Sequence, residues 1–175
     1  NFSGTGAVTL DVLGVAGAGG DIELFLDKAT FNKTTYTFTA NGPTASNGNG
    51  GTVYVGSQLL TLSPTAKFTI TANASSFGTG DAIASDPSTG DPKAIRFYPG
   101  AVPLNIGTAS GLGQISFSAK GGQSGGKGGT ILISSDPVTV KTANAINASA
   151  VGGNGDGGEV VIYSYVQSLD PAARI

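Results

Sequence analysis

The sequence predicts an all-β protein, a parallel β-helix (β-solenoid) of about four to five turns with glycine-rich loops and no helices of note. Three observations lead there. A glycine pair followed by an apolar, β-branched run recurs as Gly19-Gly20-Asp21-Ile22-Glu23-Leu24, Gly50-Gly51-Thr52-Val53-Tyr54-Val55, Gly128-Gly129-Thr130-Ile131-Leu132-Ile133 and Gly157-Gly158-Glu159-Val160-Val161-Ile162. The first two units lie about 31 residues apart and the last two about 29, a period that marks stacked supersecondary units rather than one compact core. A second element, a strand ending in small residues, precedes the loops. It reads Tyr36-Thr37-Phe38-Thr39-Ala40, Phe68-Thr69-Ile70-Thr71-Ala72, Ile115-Ser116-Phe117-Ser118-Ala119 and Ile146-Asn147-Ala148-Ser149-Ala150. Finally, no apolar stripe with a 3.6-residue period runs for any useful length.

Taken in chain order, the elements form one domain over residues 1–175. An opening partial turn covers 1–19, with Val8-Thr9-Leu10-Asp11-Val12 as its strand and Gly14 to Gly20 as its loop. Full turns begin near 20, 51, 93 and 129, and a closing strand and tail occupy 158–175. The second turn is lengthened by an inserted loop, 73–92, in which the glycine pair is missing. The strand Ala94-Ile95-Arg96-Phe97-Tyr98 then takes the place of the next unit. Within a turn a short middle strand is expected, Leu59-Leu60-Thr61-Leu62 or Val138-Thr139-Val140. Three short strands per turn, with bends at Asn, Asp, Gly, Ser and Pro, is the β-solenoid pattern. Alternation in Lys67 to Thr71 and Gln114 to Ser118 points apolar side chains inward and hydroxyls outward. The glycines allow positive φ in the loops and close stacking of turns where a Cβ would clash.

Composition removes much chemistry. The chain has no Cys and no His, which excludes disulfides, thiol chemistry, Ser-His and Cys-His nucleophiles and the ordinary zinc ligand sets. Charged residues are 11% of the chain, so Ser, Thr, Asn and Gly must dominate its surface. A net charge of −2, with scattered Lys and Arg, gives no attraction to nucleic acid. No apolar run is long enough to insert in a membrane, and no signal peptide is present. The chain starts at Asn1 and contains no Met, so it reads as a processed mature protein or an excised segment. No GxSxG, P-loop or Rossmann fingerprint stands between a strand and a helix.

Two acidic features are calcium candidates. Asp81, Asp86 and Asp91, with Ser85, Ser88 and Thr89, supply the oxygen donors that calcium takes six to eight of, and they are equally good turn formers. In Gly152-Gly153-Asn154-Gly155-Asp156-Gly157-Gly158 the Asp falls one place too early for the calcium nonapeptide, and the motif does not repeat in tandem. No other cofactor is expected. Asn1, Asn32, Asn73 and Asn147 each begin an N-x-Ser/Thr triplet, a glycosylation acceptor that also arises by chance in such a composition. The aromatics Phe38, Tyr54, Phe68, Phe97, Phe117 and Tyr163 lie inside strands and are expected in the core or in stacks between turns. An exposed aromatic row on one face would instead mean carbohydrate binding.

Units such as Gly50 to Val55, Leu60 to Leu62 and Phe68 to Ala72 resemble repeats of filamentous-haemagglutinin-type exoproteins, large secreted bacterial surface proteins. The resemblance covers most of the chain, whose turns run longer than is usual in that family. It implies a right-handed parallel β-helix, secretion, and a role in adhesion or surface structure.

The ends carry the functional expectation. Some five rungs about 4.8 Å apart make a stub about 24 Å long, and each terminal turn offers unpaired backbone. Head-to-tail contacts of that kind generate filaments. The expected activity is therefore extracellular or cell-surface structure, with copies of the same chain as partners and surface glycans as further ones. Val8, Leu10 and Val12 at one end, and Val160, Ile162 and Tyr163 at the other, are the expected interface. The enzyme alternative is a pectate-lyase-like β-helix using Asp81, Asp86, Asp91, Lys93 and Arg96 around calcium; a carbohydrate-binding module is the third reading.

Overall fold

Glycine pairs, β-branched strands and small-residue corners coil this chain into a parallel β-helix of about four turns. The computed structural model describes residues 6–14, 17–32, 34–43, 47–63, 65–75, 80–82, 93–107, 114–142, 145–151, 155–165 and 167–169. Among them there is no helix. The strands are β1 (Ala7–Asp11), β2 (Asp21–Phe31), β3 (Thr35–Thr39), β4 (Thr52–Leu62), β5 (Lys67–Thr71), β6 (Lys93–Tyr98), β7 (Leu104–Ile106), β8 (Gln114–Ser118), β9 (Thr130–Ser134), β10 (Val138–Val140), β11 (Ile146–Asn147), β12 (Val160–Tyr163) and β13 (Gln167–Leu169). They form three sheets. Sheet A has the order β2-β4-β6-β9-β12, sheet B β1-β3-β5-β8-β11, and the short sheet C β7-β10-β13. Every strand ladder is parallel, as a coil that returns in the same direction at each turn requires.

Register turns the strand alternation into columns that run along the coil axis. Ile22, Val53, Ile95, Ile131 and Val160 stand in one interior column, and Leu24, Val55, Phe97, Ile133 and Ile162 in the next. Opposite them in sheet B stand Leu10, Phe38, Ile70, Phe117 and Ile146. Aromatic rings join the sheets across this core. Phe97 of sheet A meets Phe117 of sheet B edge to face at 5.4 Å. Tyr36 and Phe68 stack at 4.7 Å, with Phe31 edge-on to both.

The recurring glycine pair has a mechanical cause. The second glycine of each pair closes its loop across the turn: Gly20, Gly51, Gly129 and Gly158 donate their N–H groups to the carbonyls of Val12, Ala40, Ala119 and Ala148. Turns stack so closely there that a Cβ on Gly51 would collide with the carbonyl oxygen of Gly20, and one on Gly158 with that of Gly129. Three of these four acceptors are alanines, of which Ala40 and Ala119 are fully buried.

Two sequence expectations need correction. Leu59 to Leu62 is not a separate middle strand but the end of the 11-residue β4, which pairs with the equally long β2. Sheet C begins only at β7. Proline explains the change: Pro99 follows β6 and Pro137 lies between β9 and β10, each lacking an N–H with which to continue a ladder. In addition, Asn73 to Ser75 and Gly80 to Ala82, counted within the inserted loop, continue the regular loop stack. Gly42 N–H bonds the Asn73 carbonyl, Ala74 N–H that of Lys120, Gly50 N–H that of Asp81, and Ala82 N–H that of Lys127. The next described residue, Lys93, opens β6.

Candidate functional site

The loop stack is held by two side-chain ladders. On its entry side, Asn41 Oδ1 accepts the N–H of Asn73, and Asn73 Oδ1 accepts the N–H of Lys120 and the hydroxyl of Ser118, each at 2.8 Å. On its exit side, Asn49 Oδ1 accepts the N–H of Asp81 at 2.9 Å, and Asp81 Oδ1 that of Lys127 at 2.7 Å. Each acceptor lies directly below the amide that it serves, one turn away. Lys127 Nζ then reaches Asp156 at 3.8 Å in an exposed pair, which contributes little.

These ladders place several residues singled out in the sequence. Asp81 is a rung of the exit ladder, while its calcium partners Asp86 and Asp91 lie outside the described residues, as does Asn1. No group of three Asp or Glu residues able to hold a metal occurs among the described residues. Arg96 stands on the outer face of sheet A, one rung from Tyr54, and the Lys93 backbone opens β6. Asn73 is half-buried in the entry ladder, and Ser75 of its triplet is buried. Asn147 lies in β11, where its Oδ1 accepts the Ser149 N–H at 3.1 Å. Asn32 is exposed, and Thr34 of its triplet donates to the Gly6 carbonyl.

At the two ends of the coil the described strands are staggered. At the first end, β1 belongs to sheet B and precedes the first sheet A strand, β2. At the other, β12 and β13 extend sheets A and C one strand beyond β11, the last described strand of sheet B. The interior columns finish on Leu10, which is 36% exposed, and on the half-buried Val8, Val160 and Ile162. Val12 heads the small-residue column that continues as Ala40, Ala72, Ala119 and Ala148.

Tyr54 stands in a stack between turns, as expected, whereas Tyr163 departs from expectation. Phe38, Phe68, Phe97 and Phe117 are buried in the core, but Tyr54 and Tyr163 lie on the outer face of sheet A. There Tyr54 packs against Phe25 at 4.9 Å and Tyr98 at 5.7 Å, forming an external aromatic row. Phe25, Tyr98 and Tyr165 were missed in the sequence, although strand parity held a signal: Phe25 follows the inward Leu24, and Tyr98 the inward Phe97. Beyond Tyr98 an open groove of about 730 Å³ is bounded by Tyr163 and Tyr165.

Compared with known proteins, the chain matches no family model, no curated protein and no solved structure.

Proposed function

We propose that this solenoid is an extracellular structural protein that stacks end to end with copies of itself, as a filament or as part of a surface adhesin or matrix. The observation that carries the reading is the complementary stagger of the described ends. Placed head to tail, β12 of one copy continues into β2 of the next, and β11 into β1. The partial turn β12–β13 is then completed by β1 of the neighbour. The interior columns run on without a break, Ile162 over Leu24, Val160 over Ile22 and Ile146 over Leu10. Backbone pairing supplies affinity and the matched columns supply register. Such a contact is heterologous and does not close, so it propagates.

A low-charge, hydroxyl-rich exterior without Cys or His suits a lattice or coat, and the resemblance to haemagglutinin-type repeats favours the cell surface. The test is negative-stain electron microscopy over a concentration series, with Ile162→Lys beside the parent chain. Fibres of uniform width from the parent, and particles of a single copy from the variant, are expected, because the lysine would bury an unpaired charge at the junction. Parent particles that stay monomeric at all concentrations, or fibres from Ile162→Lys, overturn the reading.

A further inference from the structure

One column on the outside of sheet A alternates large and small residues. Register places Phe25 opposite Gly56, Gly56 opposite Tyr98, and Ser134 opposite Tyr163. Tyr98 stands one step beyond the Phe97–Ile133 pair and so faces Ser134. The two small residues meet different fates. Over Gly56 the space is filled by the Tyr54 ring, which leans so close that a Cβ there would lie 2.5 Å from its hydroxyl. The residue that corresponds to Tyr54 beside Ser134 is Leu132, an aliphatic side chain that is itself buried. It has no ring to lay across the gap.

The space over Ser134 is the groove. Tyr98 bounds it on one side and Tyr163 on the other, two rungs or roughly 9.6 Å apart along the axis. Tyr163 is 61% exposed and Tyr165 97%, so these rings carry apolar surface that the chain itself does not cover. The volume falls within the roughly 300–1,000 Å³ of small-ligand sites.

We propose that this slot binds a neutral glycan, with one sugar ring over Ser134 between Tyr98 and Tyr163 and the next on Tyr165. Ring shape follows from the fold, since the equivalent space two rungs along the column, over Gly56, is occupied by a ring of the chain's own. Chemistry then selects a sugar. The apolar face of a pyranose packs on tyrosine rings, and its hydroxyls meet the lining hydroxyls of Ser57, Ser134 and the tyrosines. Charge selects a neutral one: among the described residues no Lys or Arg lines the groove, and its carboxylate, Asp136, repels an acidic sugar. Asp136 Oδ1 already accepts the hydroxyl of Ser164 at 3.2 Å, which holds it at the rim. The row Tyr98–Tyr54–Phe25 extends the contact along the axis, one ring per rung, for a longer chain.

The test titrates the purified chain, calorimetrically, with neutral hexasaccharides built of glucose, xylose, mannose, galactose and N-acetylglucosamine, and with hexagalacturonate. Binding of at least one neutral hexasaccharide is expected, weakened about tenfold in Tyr163→Ala and in Tyr165→Ala, the loss that goes with one ring contact. Tyr165→Ala removes a fully exposed side chain and leaves the fold intact, which circular dichroism checks. Absence of binding by every neutral hexasaccharide overturns the proposal, as does preference for hexagalacturonate or undiminished binding in both variants. Loss of self-association in Tyr165→Ala with unchanged glycan binding also overturns it, because the slot would then be a contact between copies.

Discussion

Asn73 Oδ1 accepts the backbone N–H of Lys120 at 2.8 Å, across one turn of the coil. The same oxygen accepts the Ser118 hydroxyl, and the N–H of Asn73 is bonded in turn to Asn41 Oδ1. A loop that leaves a sheet loses the ladder that satisfied its amides, and buried amides without partners are costly. Here a side-chain oxygen takes over that work at the corner. No described buried side-chain N or O atom lacks a hydrogen-bond partner.

Asn73→Ala removes one acceptor from two half-buried donors. Stability should fall by about 1–3 kcal/mol, the usual penalty for stranding such groups. Asn73→Asp keeps an oxygen at Oδ1 and should retain most of it. Denaturant melts of the three proteins make the comparison, and equal losses in both variants would show that the amide nitrogen, not Oδ1, carries the interaction.

Asp81 allows the ladder to be separated from metal binding. Asp81→Asn preserves the Oδ1 acceptor for Lys127 and should leave the Tm within a degree or two of the parent, with or without millimolar calcium. Asp81→Ala should be destabilised by about 0.5–1.5 kcal/mol in both conditions, since the bond to the Lys127 N–H is exposed. If calcium instead raises the parent's Tm by several degrees and fails to raise that of Asp81→Asn, Asp81 is a ligand.

Gly51 and Gly157 are both members of the recurring pairs, yet substitution should act on them in opposite ways. A Cβ on Gly51 meets the Gly20 carbonyl, a backbone group held by the stack, so Gly51→Ala should cost about 1–3 kcal/mol by overpacking. A Cβ on Gly157 meets nothing within 4 Å. In the single copy, below the assembly concentration, Gly157→Ala should therefore be neutral, or stabilising by about 0.4–1 kcal/mol through the unfolded chain. Thermal unfolding of the two variants decides the matter, and equal losses would remove stacking distance as the reason for the pairs.

The coil was legible because its two periods, about 30 residues between units and two within strands, are both written in residue type. Gly50-Gly51 before Val53 and Val55, and Ala72 after Phe68 and Ile70, each fix a corner and a face. That the aromatic row lies on the outer face does not follow from Tyr54 and Tyr163 standing inside strands; parity decides it. Val53 and Val55 both point inward, so Tyr54 cannot. The two ladders escaped for another reason: Asn49 and Asp81 are 32 residues apart, and only the stacked loops bring them into register. In the sequence each reads as an ordinary turn former.

The proposed junction between copies contains one unfavourable column, which gives its register a signature. Glu159 lies opposite Thr130, one residue before the Val160–Ile131 pair, and Asp21 lies opposite Thr52. Continuing the ladder from β12 into β2 of a neighbour sets Glu159 beside Asp21, both exposed carboxylates, on backbones about 4.8 Å apart. Asp21 Oδ1 accepts the Thr52 hydroxyl at 2.7 Å, which holds that carboxylate in place. Like charges directly opposite each other oppose pairing, with a repulsion on the order of 1 kcal/mol in water that salt screens. Raising ionic strength from about 0.01 to 0.15 M shortens the screening length from about 30 to 8 Å. The assembly concentration, followed by light scattering, should therefore drop as salt is added. Glu159→Gln should assemble at a lower concentration than the parent and lose most of that salt dependence. If the parent's threshold rises with salt, or Glu159→Gln leaves it unchanged, the strands do not meet in this register, and the contact between copies lies elsewhere on the coil.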